Sequence, residues 1–105
     1  MKKSTEKKNS FIGKSVLVRA DRAGVFVGNL KSKDGSEVVL TDARRLWYWS
    51  GAASISQIAI DGVSDPVNCK FPESVSEILI MGVIEILPMT DKAIRSINGV
   101  AAWKK

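Results

Sequence analysis

Apolar and polar side chains alternate along the first half of the chain, in the pattern of β-strands. Residues 14–20 (KSVLVRA) alternate with period two and are rich in Val, so we expect a half-buried strand there. Residues 23–32 (AGVFVGNLKS) predict a second strand, and residues 33–35 (KDG) have the composition of a hairpin turn. Residues 36–42 (SEVVLTD) then predict a returning third strand.

Glycines inside the apolar stretches predict that the sheet bends. Gly24 and Gly28 lie within the second strand, where a bulge or a close neighbouring backbone would exclude a side chain. Residues 75–88 (VSEILIMGVIEILP) are long enough for two strands or one sharply bent strand, and the break falls at Gly82. After the third strand, β-forming residues continue over 43–49 (ARRLWYW), so that strand either runs on through a bend or hands over to a separate strand.

Helical patterns are confined to two short segments. Residues 54–57 (SISQ) have the spacing of a capping box and Gly62 is placed to stop the helix, so we expect a helix over residues 54–61. Thr90 can cap a second short helix over residues 91–97. Five short strands with two short helices predict a mainly β fold, a small and highly bent barrel whose sheet closes on itself.

Size and composition exclude several kinds of chemistry. A chain of 105 residues with 45% apolar and 26% charged residues has the make-up of one globular domain, which we place at residues 11–105. It has no His and a single Cys, Cys69, so a His-based triad, a Cys/His zinc site and an internal disulfide are excluded. We therefore expect a protein that is not an enzyme and needs no cofactor or metal, with Cys69 as a loop or core residue.

The net charge of +5 belongs to the ends of the chain. Residues 1–10 are polar and basic, which predicts a disordered arm, and Lys104 and Lys105 add two further charges. The residues between these ends carry equal numbers of basic and acidic side chains. The total charge is therefore weak evidence for a surface that follows phosphates, and solvated tails are the simpler interpretation.

Two segments resemble the sequence motifs of the Sm-like proteins. Residues 12–43 contain a Gly-Lys pair, alternating Val residues, an apolar-Val-Gly-x-Leu strand, an Asp-containing turn and a strand ending in Thr-Asp-Ala, and residues 78–86 resemble a loose second motif. The resemblance implies an SH3-like or Sm-like barrel. Sm-like proteins hold RNA bases with an Asn and an Arg, and Glu37 and Met81 occupy those two positions here. The inserted residues 44–74 are therefore where we expect this chain's own function.

The insertion begins with an unusual aromatic and basic stretch, residues 44–51 (RRLWYWSG). An extended backbone would place Arg45, Trp47 and Trp49 on one face and Arg44, Leu46 and Tyr48 on the other. Indole and phenol rings stack on nucleobases and guanidinium groups pair with phosphates, but the same residues also dominate protein interfaces. They could also seal one end of the barrel, with the arginines paired to Asp42 or Asp61. The candidate ligand-binding residues are Arg44, Arg45, Trp47, Tyr48 and Trp49, with Arg19, Arg22 and Arg95 as further candidates for phosphate contact.

The pattern of the whole chain is similar to a family of short proteins of bacteriophages and prophages. The resemblance runs from residues 16–19 (VLVR) through 43–53 and 69–71 (CKF) to 84–88 (IEILP) and a closing Val-x-x-Trp. It implies a viral accessory protein in the cytoplasm of the bacterial host, in keeping with the single Cys and the lack of an export signal or a membrane-length apolar run.

Three functions remain open at this point. The leading hypothesis is a non-enzymatic, homo-oligomeric protein that holds RNA or a nucleotide-like anionic ligand, such as a cyclic-nucleotide signal of host immunity, in a counter-defence role. The second is a protein inhibitor that docks its aromatic patch on a host defence or regulatory protein. The third is a small component of the virion or its assembly.

Overall fold

The computed structural model describes residues 11–105, and the predicted basic arm, residues 1–10, lies outside the described residues. The described part of the chain folds into one five-stranded antiparallel sheet in the order β4-β3-β2-β1-β5, accompanied by two α-helices. Along the chain these elements are β1 (Ser15–Ala20), β2 (Gly24–Asp34), β3 (Glu37–Arg45), α1 (Ile55–Asp61), β4 (Val75–Ile80), β5 (Val83–Pro88) and α2 (Asp91–Asn98). The predicted fold class, mainly β with five short antiparallel strands and two short helices, is confirmed, but in the described residues β4 and β5 do not pair, so the sheet does not close on itself as predicted.

The sheet curls because its two edge strands are neighbours in sequence. β4 and β5 lie at opposite edges, yet only Met81 and Gly82 separate them. Gly82 has a φ of 75°, a conformation that favours glycine, and this residue breaks the apolar stretch into two strands as predicted. The backbone N–H of Val83 then donates to the carbonyl of Ser36 at 2.9 Å, so the start of β5 reaches the turn between β2 and β3.

A second bend lies where β2 crosses β3. The register of this strand pair shifts between Val27 and Asn29, and a Cβ atom on Gly28 would lie 3.0 Å from the carbonyl oxygen of Thr41. The predicted close approach is therefore found at Gly28. On the other side, Asp42 has a φ of 49° and β3 continues through this bend to Arg45, so the third strand runs on instead of handing over to another strand.

Both faces of β1 are covered, which its alternation did not indicate. Val16 and Val18 face the inner apolar cluster and Leu17 faces an outer one, and all three are fully buried. The prediction of a half-buried first strand was therefore wrong. The outer cluster contains Ile58 of α1 and Ile97 of α2, because the insertion and the C-terminal helix pack over the face that would otherwise meet water.

The two helices begin at side-chain caps, as predicted. The Ser54 hydroxyl accepts a hydrogen bond from the backbone N–H of Gln57 at 3.2 Å, and the Thr90 hydroxyl accepts one from the N–H of Ala93 at 3.0 Å. The Thr90 hydroxyl also donates to the carbonyl of Ile60 at 2.6 Å, which joins the start of α2 to α1. The inserted helix and the C-terminal helix therefore form one layer over the sheet.

Arg44 joins this layer to the sheet from a buried position. Its Nε donates to the carbonyl of Pro72 at 2.9 Å and its Nη1 to that of Ile97 at 2.9 Å. Its Nη2 donates to the carbonyls of Val100 at 2.7 Å and Phe71 at 3.3 Å. Burial lowers the pKa of Arg44 from its ordinary value, and the four carbonyls offset the loss of water around the guanidinium.

These contacts remove Arg44 from the set of ligand-binding candidates. Its side chain is only 8% exposed and its guanidinium donates to backbone carbonyls of the protein itself. Neither Asp42 nor Asp61 pairs with Arg44, so the alternative prediction, an ion pair of Arg44 with one of these carboxylates, was also wrong. Sequence alternation placed Arg44 and Leu46 on one face, and that face is the buried one.

Replacing Arg44 by Met should destabilise the fold strongly, because four carbonyls would lose a charged donor inside the protein. We expect Arg44→Met to lower the free energy of unfolding by about 3 kcal/mol. Arg45→Met is the matched control: Arg45 is exposed, donates to the carbonyl of Ala23 and lies over the Phe26 ring, so its loss should cost less than about 1 kcal/mol. Urea denaturation followed by tryptophan fluorescence measures both, and equal losses would contradict the role given to Arg44.

Candidate functional site

The chain segment that follows β3 meets two distant segments at one place on the surface. Tyr48 forms an isolated β-bridge with Lys70: the N–H of Lys70 donates to the carbonyl of Tyr48 at 2.7 Å, and the N–H of Tyr48 donates back at 3.2 Å. The backbone N–H of Trp103 donates to the carbonyl of Phe71 at 2.9 Å. The aromatic stretch, the end of the insertion and the C-terminal segment therefore lie side by side.

Three aromatic rings and one ammonium group project from these segments. The Trp47 and Trp103 rings stack with centroids 5.3 Å apart and planes 12° apart. The Lys70 Nζ lies 5.8 Å from the Trp47 centroid, 5.6 Å from that of Trp103 and 5.8 Å from that of Tyr48. We call Trp47, Tyr48, Lys70 and Trp103 the aromatic surface.

The rings of the aromatic surface are open to solvent. Trp47 is 60% exposed, Tyr48 51% and Trp103 45%. Single exposed apolar side chains are common on proteins, whereas a group of exposed aromatic rings at one place is typical of surfaces that bind a ligand or partner. The alternative prediction, that these residues are buried to seal one end of the sheet, is therefore wrong for Trp47 and Tyr48.

Trp49 departs from the predicted arrangement. It is partly buried and packs against the outer apolar cluster, whereas Tyr48, predicted on the opposite face from Trp47, is exposed beside it. The alternation ends because the regular strand ends at Arg45 and the next residues follow the bridge to Lys70. The pairing of Trp47 with Trp49 on one face was therefore wrong.

The backbone after Trp49 is fixed by the loop of residues 64–69. The Ser50 hydroxyl donates to Asp65 Oδ2 at 2.8 Å, and the Ser50 N–H donates to the Cys69 sulfur at 3.4 Å. Hydrogen bonds from the side chains of Asn68 and Ser50 lower the pKa of the Asp65 carboxyl from its ordinary value. Cys69 is buried in this packing, in keeping with its predicted place as a loop or core residue.

The remaining arginines do not join the rings. Arg19 donates from Nε to Glu85 Oε1 at 3.0 Å on the exposed side of β1 and β5. Arg22 lies in the turn after β1, and Arg45 reaches the same turn through its bond to the Ala23 carbonyl. Arg95 is exposed on α2. In the part of the chain that the structure describes, none of these arginines makes a cation–π contact with the aromatic surface.

Two members of the aromatic surface were not predicted from the sequence. Lys70 is a single basic residue in a loop, and nothing in its neighbourhood distinguishes it from a solvated charge. Trp103 entered the sequence analysis only as the last residue of the closing Val-x-x-Trp pattern. Both contact Trp47 from distant parts of the chain. The signal in the sequence that could have suggested Trp103 is a large aromatic residue directly beside charged Lys104, where exposure to solvent is expected.

Chemically, the aromatic surface is equipped to bind. Its rings offer flat faces for stacking and Lys70 offers a positive charge at their side. An open groove of about 320 Å³ runs beside Trp103, lined by residues that include Val67, Cys69 and Ala101. Within residues 11–105, no three Asp, Glu or Cys side chains come together as a metal site, and no helix has the length and apolarity to cross a membrane.

Solved structures of Sm proteins resemble this fold. A heptameric archaeal Sm protein has a TM-score of 0.49 and 25% identity, over 81% of this chain and 98% of its own. The Sm-like protein AF-Sm2 from Archaeoglobus fulgidus has a TM-score of 0.49 and 20% identity, over 85% of this chain and 97% of its own. The SmAP1 heptamer from P. aerophilum has a TM-score of 0.49 and 24% identity, over 82% of this chain and 92% of its own.

Sequence comparison gives the family of the chain. No protein with a curated function matches it. A family model matches most of its length, from residue 13 to residue 97, and therefore includes the sheet, the insertion and nearly all of α2. The chain belongs to the family described as a domain of unknown function (DUF6948).

Proposed function

We propose that this chain is a non-enzymatic binding protein that holds a nucleotide-like anionic ligand, free or as part of RNA, on its aromatic surface. The observation that supports the proposal is the group of exposed rings, Trp47, Tyr48 and Trp103, around the ammonium of Lys70. A nucleobase stacks on an exposed indole or phenol ring, and its phosphate is attracted to the neighbouring cation. A purely apolar partner would not require that cation.

Local charge supports an anionic ligand although the folded body as a whole is neutral. Lys70 lies close to the rings, and Lys104 and Lys105 directly follow Trp103 in the chain. Glu73 pairs with Lys104 at 3.4 Å, but both side chains are more than 60% exposed. An exposed ion pair of this kind contributes little stability, so a phosphate can replace the carboxylate at Lys104.

The biological role that we propose is counter-defence by a phage-type accessory protein. A small protein that sequesters a cyclic-nucleotide signal of host immunity needs stacking faces and cations, and no catalytic group. The aromatic surface offers both kinds of contact, and the resemblance to bacteriophage and prophage proteins supplies the setting, the cytoplasm of the bacterial host. Binding of host or phage RNA would use the same contacts.

Binding of nucleotides to the purified protein tests this function. We expect titration calorimetry to detect a complex with cyclic di- or trinucleotides, with short single-stranded RNA, or with both. Trp47→Ala should weaken it at least about fivefold, because one lost base stack costs about 1–3 kcal/mol. Lys70→Met should weaken it and reduce its salt dependence by about one ion contact.

Lys92→Met is the matched control for Lys70→Met. Lys92 is an exposed lysine on α2 that pairs with Asp61, away from the rings, so its loss removes the same charge and should leave the affinity unchanged. Equal effects of the two lysine variants, or no binding of either ligand class, would contradict the proposal. A pull-down that returned one host protein at stoichiometric level, without any response to nucleotides, would instead support the protein-inhibitor hypothesis.

We also propose that the chain forms homo-oligomers through its two edge strands. β4 and β5 each leave one side of their backbone without a strand partner in the described sheet. Leu79, Met81 and Ile84, on or between these strands, are 57%, 61% and 56% exposed. An apolar cleft of about 390 Å³ also lies between β5 and the β2–β3 turn, with Ile84 and Ile86 in its wall. Apolar side chains on open sheet edges favour pairing with a second copy.

A charge placed on the edge should prevent this assembly. We expect sedimentation velocity to give the wild-type chain a mass well above 11.4 kDa and Leu79→Lys a mass near that of one chain. Ile60→Lys is the control, because Ile60 is 58% exposed on α1 and lies outside both edges. A monomeric wild-type protein at the same concentration would rule out self-association through the edges.

A further inference from the structure

The two stacked tryptophans differ in how firmly contacts with the rest of the protein fix their positions. Trp47 lies between Leu46, which is buried and donates from its N–H to the carbonyl of Val25 at 2.9 Å, and Tyr48, which is bridged to Lys70 by two hydrogen bonds. Its position is therefore fixed from both sides.

Trp103 is attached far more lightly. Residues 101–105 are all exposed, and besides the ring contacts of Trp103 with Trp47 and Lys70 they are joined to the fold by the bond from the Trp103 N–H to the Phe71 carbonyl and the exposed ion pair of Lys104 with Glu73. Segments with few buried contacts and exposed hydrogen bonds open at low free-energy cost. The Trp103 ring can therefore move away from Trp47 while the rest of the fold stays in place.

The present spacing of the pair is too small to admit a base. The ring centroids are 5.3 Å apart and the planes are nearly parallel, at 12°. A base placed between two rings needs a contact distance on each of its faces, which sets the rings about 7 Å apart. Because the two rings are already stacked, admitting a base requires Trp103 to move away by about one further contact distance, about 3.5 Å.

Lys70 stands at the side of this gap. Its Nζ lies 5.8 Å from the Trp47 centroid and 5.6 Å from the Trp103 centroid, and the two centroids are 5.3 Å apart, so the three points form a nearly equilateral triangle. The ammonium is therefore about equally close to both rings of the pair, at the distance of a cation–π contact. A base within the gap would carry its phosphate toward Lys70, whereas a base without phosphate would leave this cation unused.

From this geometry we propose that Trp103 is a movable jaw, and that the ligand is a nucleotide whose base enters between Trp47 and Trp103 while its phosphate meets Lys70. This inference rests on the proposed function and adds its binding mode and specificity. In the free protein each indole covers the face that the base will use. Opening loses one ring–ring contact and gains two ring–base contacts, so larger bases gain more, and purine nucleotides bind more tightly than pyrimidine nucleotides.

The affinities of adenosine and uridine monophosphates for the full chain test the jaw. We expect Trp103→Ala to weaken adenosine monophosphate about tenfold, a loss of about 1.4 kcal/mol, and to reduce its advantage over uridine monophosphate. Trp103→Phe, which keeps a flat ring, should retain most of the affinity. If bases stack only on the outer face of Trp47, Trp103→Ala will leave the affinity unchanged or raise it by uncovering the inner face, and the jaw is overturned.

Circular dichroism reports the separation of the two indoles, which an affinity measurement does not show. Two stacked indoles give a coupled signal, which should be present in the free wild-type protein and absent from Trp103→Ala. Saturation with adenosine monophosphate should remove this signal because the rings separate. Binding with the coupled signal intact overturns the jaw and leaves the proposed function standing, whereas no binding of any nucleotide to the wild-type protein overturns both.

Discussion

The guanidinium of Arg44 is the interaction on which the rest of this structure depends. Arg44 lies near the end of β3, and its guanidinium donates to carbonyls of the insertion and of the C-terminal segment. Lys70 precedes one of its acceptors, Phe71, and Trp103 follows another, Val100, so the positions of both depend on it. A cation that is itself closed to ligand thus assembles the surface that we propose binds one.

The two faces of the sheet serve different purposes in this arrangement. The inner face of the curled sheet packs around its own apolar cluster, while the outer face is covered by α1, α2 and the loop that contains Phe71. The covering layer is the part of the molecule that carries Lys70 and Trp103. The sheet supports this layer, and the proposed binding chemistry lies on segments added to the sheet, as is common for small folds with many functions.

Local patterns were sufficient for the elements and insufficient for the site. Period-two alternation, capping residues and the glycine at position 82 predicted the strands, both helices and the break between β4 and β5, because those signals act within a few residues. Arg44 was predicted to contact a ligand. That prediction was wrong because the partners of its guanidinium are carbonyls far along the chain. Trp49 turned inward and Lys70 and Trp103 joined the rings for the same reason: tertiary contacts, which no local spacing encodes, decide which face is outside.

Nuclear magnetic resonance of the three indole N–H groups tests the central claim most directly, because the chain contains one internal control. During titration with a cyclic dinucleotide, we expect the resonances of Trp47 and Trp103 to shift together and saturate, while that of Trp49, which packs against the outer apolar cluster, stays in place. Shifts confined to Trp49, or no shift of any indole at saturating ligand, would contradict the account.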